Sequence, residues 1–349
     1  MTPLRPDPDS TPFLLAARQK PASRIPVWFM RQAGRSLPEY KAVRGEGTIL
    51  DAISDSDRAA EITLQPVRRY GVDAAILFSD IVTPIWAAGF GIDIAAGVGP
   101  VCEHPFASAS DLRRLRPLDP SVDLDFQTRT VELLVADLTP KGVPLIGFAG
   151  APFTLASYLV EGRPSREYAK VKALMHSQPD LWHRLCDRLA DYAIATLCAQ
   201  VEAGASAVQL FDSWAGALRP EHYREFVFPH SARIMAAMAD LGVPRIHFGI
   251  NTGELLSLMA QAGAEVVGVD WRTPLAVARE RTGGLVALQG NLDPALVLAP
   301  WEVLETEVQR VLDDNAGHPG HIFNLGHGVL PQSDPEQLAR IVELVHRRR

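Results

Sequence analysis

Eight short runs of β-branched and aliphatic residues, separated by longer amphipathic stretches, constrain the fold of this chain more than any other feature. They read RIPVWFM, VDAAILF, VPLIGF, SAVQLF, PRIHF, AEVVGVD, LVALQG and HIFNL. Near-continuous apolar runs of this length suit strands covered on both faces, and the intervening stretches carry apolar residues at helical spacing. In 178–204, Leu181, Leu185, Leu189 and Leu197 recur at such intervals and Gly204 follows as a stop. Alternation of strand and helix predicts a parallel sheet under helices, and eight strands are what a closed parallel barrel needs. The expected fold is α/β, a (β/α)8 TIM barrel.

Two embellishments depart from a minimal barrel. TPFLLAARQK, about two helical turns, precedes the first run, and a long excursion from Ala87 to Lys141 separates the second and third. Within it, SASDLRRLRPLDP reads as a helix start broken at Pro117. With no longer internal repeat, low-complexity tract or linker, one domain over 11–349 is expected, after a flexible tail over 1–10. At 349 residues and 47% hydrophobic content, the chain can bury a large core.

A net charge of -7 supplies no basic footprint for nucleic acid, so an anionic ligand must be held by a local cationic pocket. The three cysteines, Cys102, Cys186 and Cys198, form no CxxC pair, which argues for a reducing compartment and for small core residues on the helix at 186 and 198. MTPLRPDPDS lacks an apolar signal region. The apolar stretch 74–99 is interrupted by Ser79, Asp80, Pro84 and Asp93 before it could span a bilayer. No membrane partner is expected, and cytoplasmic residence follows.

A barrel enzyme collects its site from loops at the C-terminal ends of its strands. Arg31 follows the first run and Asp80 the second; the third leads into GFAGAPFTLASYLVEG, the fourth into FDSWAG and the eighth into NLGHG with His327. Arg31 and Arg35, on the glycine-containing segment MRQAGR, form a plausible clamp for a polyacidic ligand, since guanidinium forks match carboxylates. Gly34 would let the backbone approach that ligand. Taken alone, Asp80 reads first as a cap for a helix starting in FSDIVTP, the commoner fate of an isolated Ser-Asp. A zinc site from His318, His321 and His327 is disfavoured by irregular spacing and the lack of a cysteine partner. GFAG and GNLDP lack the spacing of phosphate-binding loops and suit turns or close backbone approach.

PVWFMRQAGRSLPEY, LQPVRRYGVDAAILFSDI, GFAGAPFTLASYLVEG, AVQLFDSWAG, VVGVDWRTPL, ALQGNLDP and HIFNLGHGVLPQSDPE stand in the order seen in the uroporphyrinogen decarboxylase family, which the chain resembles from about Thr11 onward. The resemblance implies removal of the acetate carboxyl groups of uroporphyrinogen III to give coproporphyrinogen III, by a homodimer. It further implies that Arg31, Gln32, Ala33, Gly34, Arg35, Asp80, Tyr158, Phe211, Ser213 and His327 surround the substrate, with Asp80 and Arg31 as catalytic residues. Ser36 stands where many relatives carry tyrosine, and Asn251 where glycine is expected. Such chemistry needs no metal or organic cofactor, because a protonated pyrrole takes up the electrons of the breaking bond. An anion beside the pyrrole nitrogens would stabilise that cation, and Asp80 fits the part. Arginine is effectively never deprotonated, so binding comes first for Arg31. His327 would offer a cation to a propionate at modestly acid pH. Two rivals remain: a zinc-dependent methyltransferase of the same architecture, and a non-catalytic tetrapyrrole carrier.

Overall fold

Seven of the eight apolar runs form parallel strands. A computed structural model describes residues 5–7, 9–34 and 36–348. In chain order the strands are β1 (Ala75–Ile76), β2 (Ile92–Ala95), β3 (Gly99–Cys102), β4 (Leu145–Gly150), β5 (Ala207–Phe211), β6 (Arg245–Phe248), β7 (Val266–Gly268), β8 (Ala287–Gln289) and β9 (His321–Ile322). A seven-stranded parallel sheet runs β1-β4-β5-β6-β7-β8-β9, while β2 and β3 form a separate antiparallel hairpin. Each strand of the large sheet pairs with its successor in sequence, which intervening helices allow in a parallel sheet.

The first run, expected as a full strand, makes only the parallel bridge Val27 to Phe323. Pro26 has no N–H to contribute, and the backbone has left extended geometry by Arg31, at φ +57°. The segment nevertheless bonds to both ends of the sheet: Asp73 N–H donates to Val27 O at 2.8 Å, and Phe323 N–H to Pro26 O at 2.8 Å. Side chains record the curl. The Trp28 indole N–H donates to Gln289 Oε1 at 3.0 Å, and Gln289 Nε2 donates to Gln209 Oε1 at 2.9 Å. Gln209 and Gln289 lie on β5 and β8, which are not neighbours, so a flat sheet could not bring them together. All three residues are buried, and their mutual bonds satisfy polar groups that would otherwise be costly inside.

Asp73 locks this first segment. Its Oδ1 accepts from Arg24 Nη2 at 2.6 Å, while Oδ2 accepts from Val27 N at 2.8 Å and meets His346 Nε2 at 2.7 Å. Three parts of the chain, including the C-terminal helix Pro335–Arg347, therefore meet on one buried carboxylate.

Helix Pro179–Glu202 covers β4 and buries Leu181, Leu185, Leu189 and Leu197, the positions its periodicity predicts. Cys186 is buried there, Cys198 is half-buried, and all three cysteines are free. TPFLLAARQK yields the helix Pro12–Ala17, where Thr11 Oγ1 accepts from Leu14 N. The excursion contains the β2–β3 hairpin, and SASDLRR winds as the 3-10 turn Ala109–Arg114 under a Ser108/Asp111 capping box. Within the expected tail 1–10, residues 1–4 and 8 lie outside the described residues. Pro6 is buried, and the Arg5 guanidinium donates to the Val201 carbonyl. No helix among the described residues is long and apolar enough to cross a membrane.

Candidate active site

Arg31 is exposed on a left-handed turn, a backbone state disfavoured for a residue with a Cβ. Its stem lies across Gly328, where an added Cβ would stand 2.6 Å from Arg31 Cδ. The backbone holds the same contact, Val329 N–H donating to Met30 O at 2.8 Å. The His327 loop is thus docked on the Arg31 turn. Gly326 performs a matching service, since a Cβ there would stand 2.3 Å from Trp271 N. Close packing accounts for both glycines of GHG.

Gln32 is buried with both ends of its amide engaged: Oε1 accepts from Phe29 N at 3.0 Å, and Nε2 donates to Ala74 O at 3.1 Å. Its side chain braces the turn. Ala33 is half-buried. Gly34 sits at φ +123°, a conformation glycine alone takes readily, and the nearest atom to an added Cβ is 4.0 Å away in the Tyr40 ring. Conformation, rather than lack of space, requires this glycine. Arg35 lies outside the described residues.

Asp80 is half-buried beyond β1. Its Oδ1 accepts from Val82 N at 3.0 Å, an Asx turn that leads into the short helix Thr83–Ala87. The residue capping that helix is Val82, which has no side-chain cap, so Asp80 shapes the approach to the helix and is not its N-cap.

Tyr158, on helix Pro152–Glu161, connects these groups electrostatically. Burial pushes its phenol well above the usual range; the Asp80 carboxylate pushes it further and the Arg31 guanidinium opposes. One phenol therefore senses both charges. Tyr158 also packs on Trp214, with ring centroids 4.1 Å apart, and Trp214 in turn meets Tyr168 at 5.3 Å. Ser213, half-buried, is the residue before Trp214. Phe211, at the end of β5, meets Phe148 of β4 and Phe248 at the end of β6 edge-on at 5.3 Å and 5.9 Å. Sequence reasoning missed Trp214 and Tyr168. The tryptophan in FDSWAG was a usable signal, being a large aromatic directly after a strand.

His327 is half-buried and its Nδ1 accepts from Gly328 N, so the proton of the neutral ring sits on Nε2. That tautomer can donate to a carboxylate. His321 does not join it: the ring is buried, Nε2 bonds the Gly290 carbonyl at 3.0 Å, and burial pushes its pKa down to about 4. Among the described residues, no group of three or more His, Cys, Asp or Glu side chains is arranged to hold a metal ion.

A sequence model described as Uroporphyrinogen decarboxylase (URO-D) matches residues 8–348. The chain belongs to the uroporphyrinogen decarboxylase family. A uroporphyrinogen decarboxylase of Salinispora tropica is 58% identical over 340 residues, covering 97% of this chain and 91% of that protein. One from Mycobacterium tuberculosis is 56% identical over 356 residues, covering 98% and 99%. Solved structures carry the fold further. A methyltransferase from Methanosarcina mazei superposes with a TM-score of 0.78 at 20% identity, over 96% of this chain and 97% of that one. A B12-independent methionine synthase from Shewanella sp. W3-18-1 reaches 0.56 at 14% identity, over 92% and 94%. At such identities the likeness is one of fold alone. This chain therefore shares its fold with both of those proteins.

Proposed function

We propose that this chain decarboxylates the four acetate side chains of uroporphyrinogen III to methyl groups, giving coproporphyrinogen III, without a metal or organic cofactor. The observation that carries this reading is the family match over residues 8–348, in a chain whose Tyr158 lies against Trp214 beside Ser213 and which places Arg31, Asp80 and His327 on loops after its apolar runs. An anion, a cation and neutral hydroxyls over an aromatic floor suit a ring system that is apolar on its faces and carries carboxylates on its edge. Substrate contacts are assigned to Arg31, Gln32, Ala33, Gly34, Asp80, Tyr158, Phe211, Ser213 and His327, and from the sequence to Arg35.

The reaction follows from the pyrrole. A proton added to the ring carbon makes the ring iminium-like. The bond to the carboxylate then breaks, CO2 leaves, and its electron pair enters the ring as an exocyclic methylene. Protonation of that methylene and loss of the ring-carbon proton complete the methyl group, with one proton consumed overall. Asp80 would face the N–H groups and offset the transient positive charge. Arg31 and His327 would hold peripheral carboxylates.

The working unit is proposed to be a cytoplasmic homodimer of single (β/α)8 domains, in which the Val27 segment closes the ring as the eighth staff. Sedimentation at twice the 38.0 kDa chain mass tests the dimer.

The function itself is tested on purified, exhaustively chelated protein given uroporphyrinogen. Stepwise CO2 release and coproporphyrinogen are expected; no product, or activity that returns only with one particular metal, would overturn the reading. A metal-dependent methyltransferase reading lacks a ligand cluster among the described residues.

Arg31→Ala is expected to raise KM roughly ten-fold or more, since hydrogen bonds to charged groups contribute about 1.5–3 kcal/mol. The exposed side chain adds little to stability, so the melting temperature should hold. Added salt should raise the wild-type KM and leave that of the variant flatter. Wild-type kinetics in the variant would remove Arg31 from the substrate's surroundings.

A further inference from the structure

Behind Ser213 and Trp214 lies a carboxyl group that the decarboxylation scheme does not use. Asp212 is wholly buried, and its Oδ1 accepts from the Thr154 hydroxyl at 3.0 Å. The same hydroxyl accepts from Trp214 N at 3.2 Å. A hydroxyl has one proton to give, and here that proton goes to Asp212 while a lone pair holds the next loop residue but one. Thr154 stands one helical turn before Tyr158, at the i, i+4 spacing that places both on one face of helix Pro152–Glu161. The helix and the loop are therefore tied twice: below by Thr154 to Asp212 and Trp214, above by the stacking of Tyr158 on Trp214.

We propose that Asp212 and Thr154 form a positioning latch for the decarboxylation site, fixing the loop of Ser213 and Trp214 against the helix of Tyr158. The proposal rests on the function proposed above. The backbone around the latch is firmly held, with Ala151 N–H on Phe211 O at 2.9 Å and Asp212 N–H on Phe248 O at 2.7 Å. The side-chain bonds therefore set the remaining freedom, the placement of Tyr158 relative to Ser213.

The surroundings of Asp212 favour an uncharged latch. His247 Nε2 approaches Asp212 Oδ2 to 3.9 Å, outside hydrogen-bond range, and both residues are fully buried. The other titratable groups that sense Asp212 are Cys186 and Tyr223, both buried and both pushed up, chiefly by burial. Burial raises the Asp212 carboxyl to about 7, against the pull of Thr154, and lowers the His247 imidazole to about 4. Through weakly acid pH the latch works by hydrogen bonding. An amide can then replace the acid, because it keeps an oxygen for the Thr154 hydroxyl.

The test uses Thr154→Val, Thr154→Ser and Asp212→Asn, alone and combined with Tyr158→Phe, in the full-length protein. Thr154→Val should fold yet lower kcat/KM about ten-fold or more, since small displacements of substrate-positioning groups cost up to about 10²-fold. Thr154→Ser and, at pH 6, Asp212→Asn should stay within about three-fold of wild type. Tyr158→Phe should cost less in the Thr154→Val background than in wild type, the signature of groups acting together. A second readout is independent of turnover: the near-ultraviolet circular dichroism of the Tyr158 and Trp214 pair, taken as the difference against Trp214→Phe, should be lost in Thr154→Val and kept in Thr154→Ser. An unchanged spectrum, or fully additive effects of Thr154→Val and Tyr158→Phe, would overturn the latch. If wild-type protein releases no CO2 the functional reading fails instead, and the circular dichroism still decides whether the latch exists.

Discussion

Asp80→Asn is expected to reduce turnover by about 10²–10³-fold, the range found for loss of a preorganised electrostatic group, while the melting temperature stays within the error of measurement. The two halves of this result have separate causes. Stability is spared because the Asx turn needs only an oxygen accepting from Val82 N, and the amide retains one. Turnover is lost because the amide carries no negative charge to meet the cation that develops as the pyrrole is protonated. The half-buried setting of Asp80 screens that charge less than bulk water would. Substrate affinity should change less than kcat, since the charge matters most in the transition state. Steady-state decarboxylation with thermal unfolding of the same preparation measures both, and near-normal turnover would leave Asp80 with its turn-forming role alone.

Asp73→Ala is the substitution expected to cost most in stability, about 2–3 kcal/mol in chemical denaturation, the upper part of the range for leaving a buried donor unsatisfied. The side chain is almost wholly buried and takes hydrogen bonds from Arg24 and the Val27 backbone, with the His346 ring also in contact. Its loss leaves the Val27 N–H buried without an acceptor, at the segment that makes only one bridge to the sheet. Arg24→Ala should cost much less, because that guanidinium is 43% exposed and solvent replaces its partner. A shift for Asp73→Ala no larger than that for Arg24→Ala would show that the carboxylate does not hold the first segment in place.

Most of the architecture was legible in local pattern. Seven apolar runs became strands in the predicted order, and the leucine spacing of 178–204 located the helix that covers β4. Each of these depends on neighbours a few residues apart, where side-chain periodicity decides which face is buried. The first run reads as apolar as the others, but Pro26 and the left-handed Arg31 limit it to one bridge, a backbone effect that composition does not report.

Sequence by itself also determined the chemical inventory and its order: arginine after the first run, aspartate after the second, tyrosine and serine after the third and fourth, histidine after the last. The tertiary structure decided which of these meet. That Gly328 receives the stem of Arg31, that Tyr158 stacks on Trp214, and that Thr154 ties Asp212 to Trp214 are contacts between segments distant in the chain. They exist because the sheet curls until its two ends meet the same Val27 segment. Local periodicity specifies each strand and helix, but only the closing of the sheet sets which loops face one another.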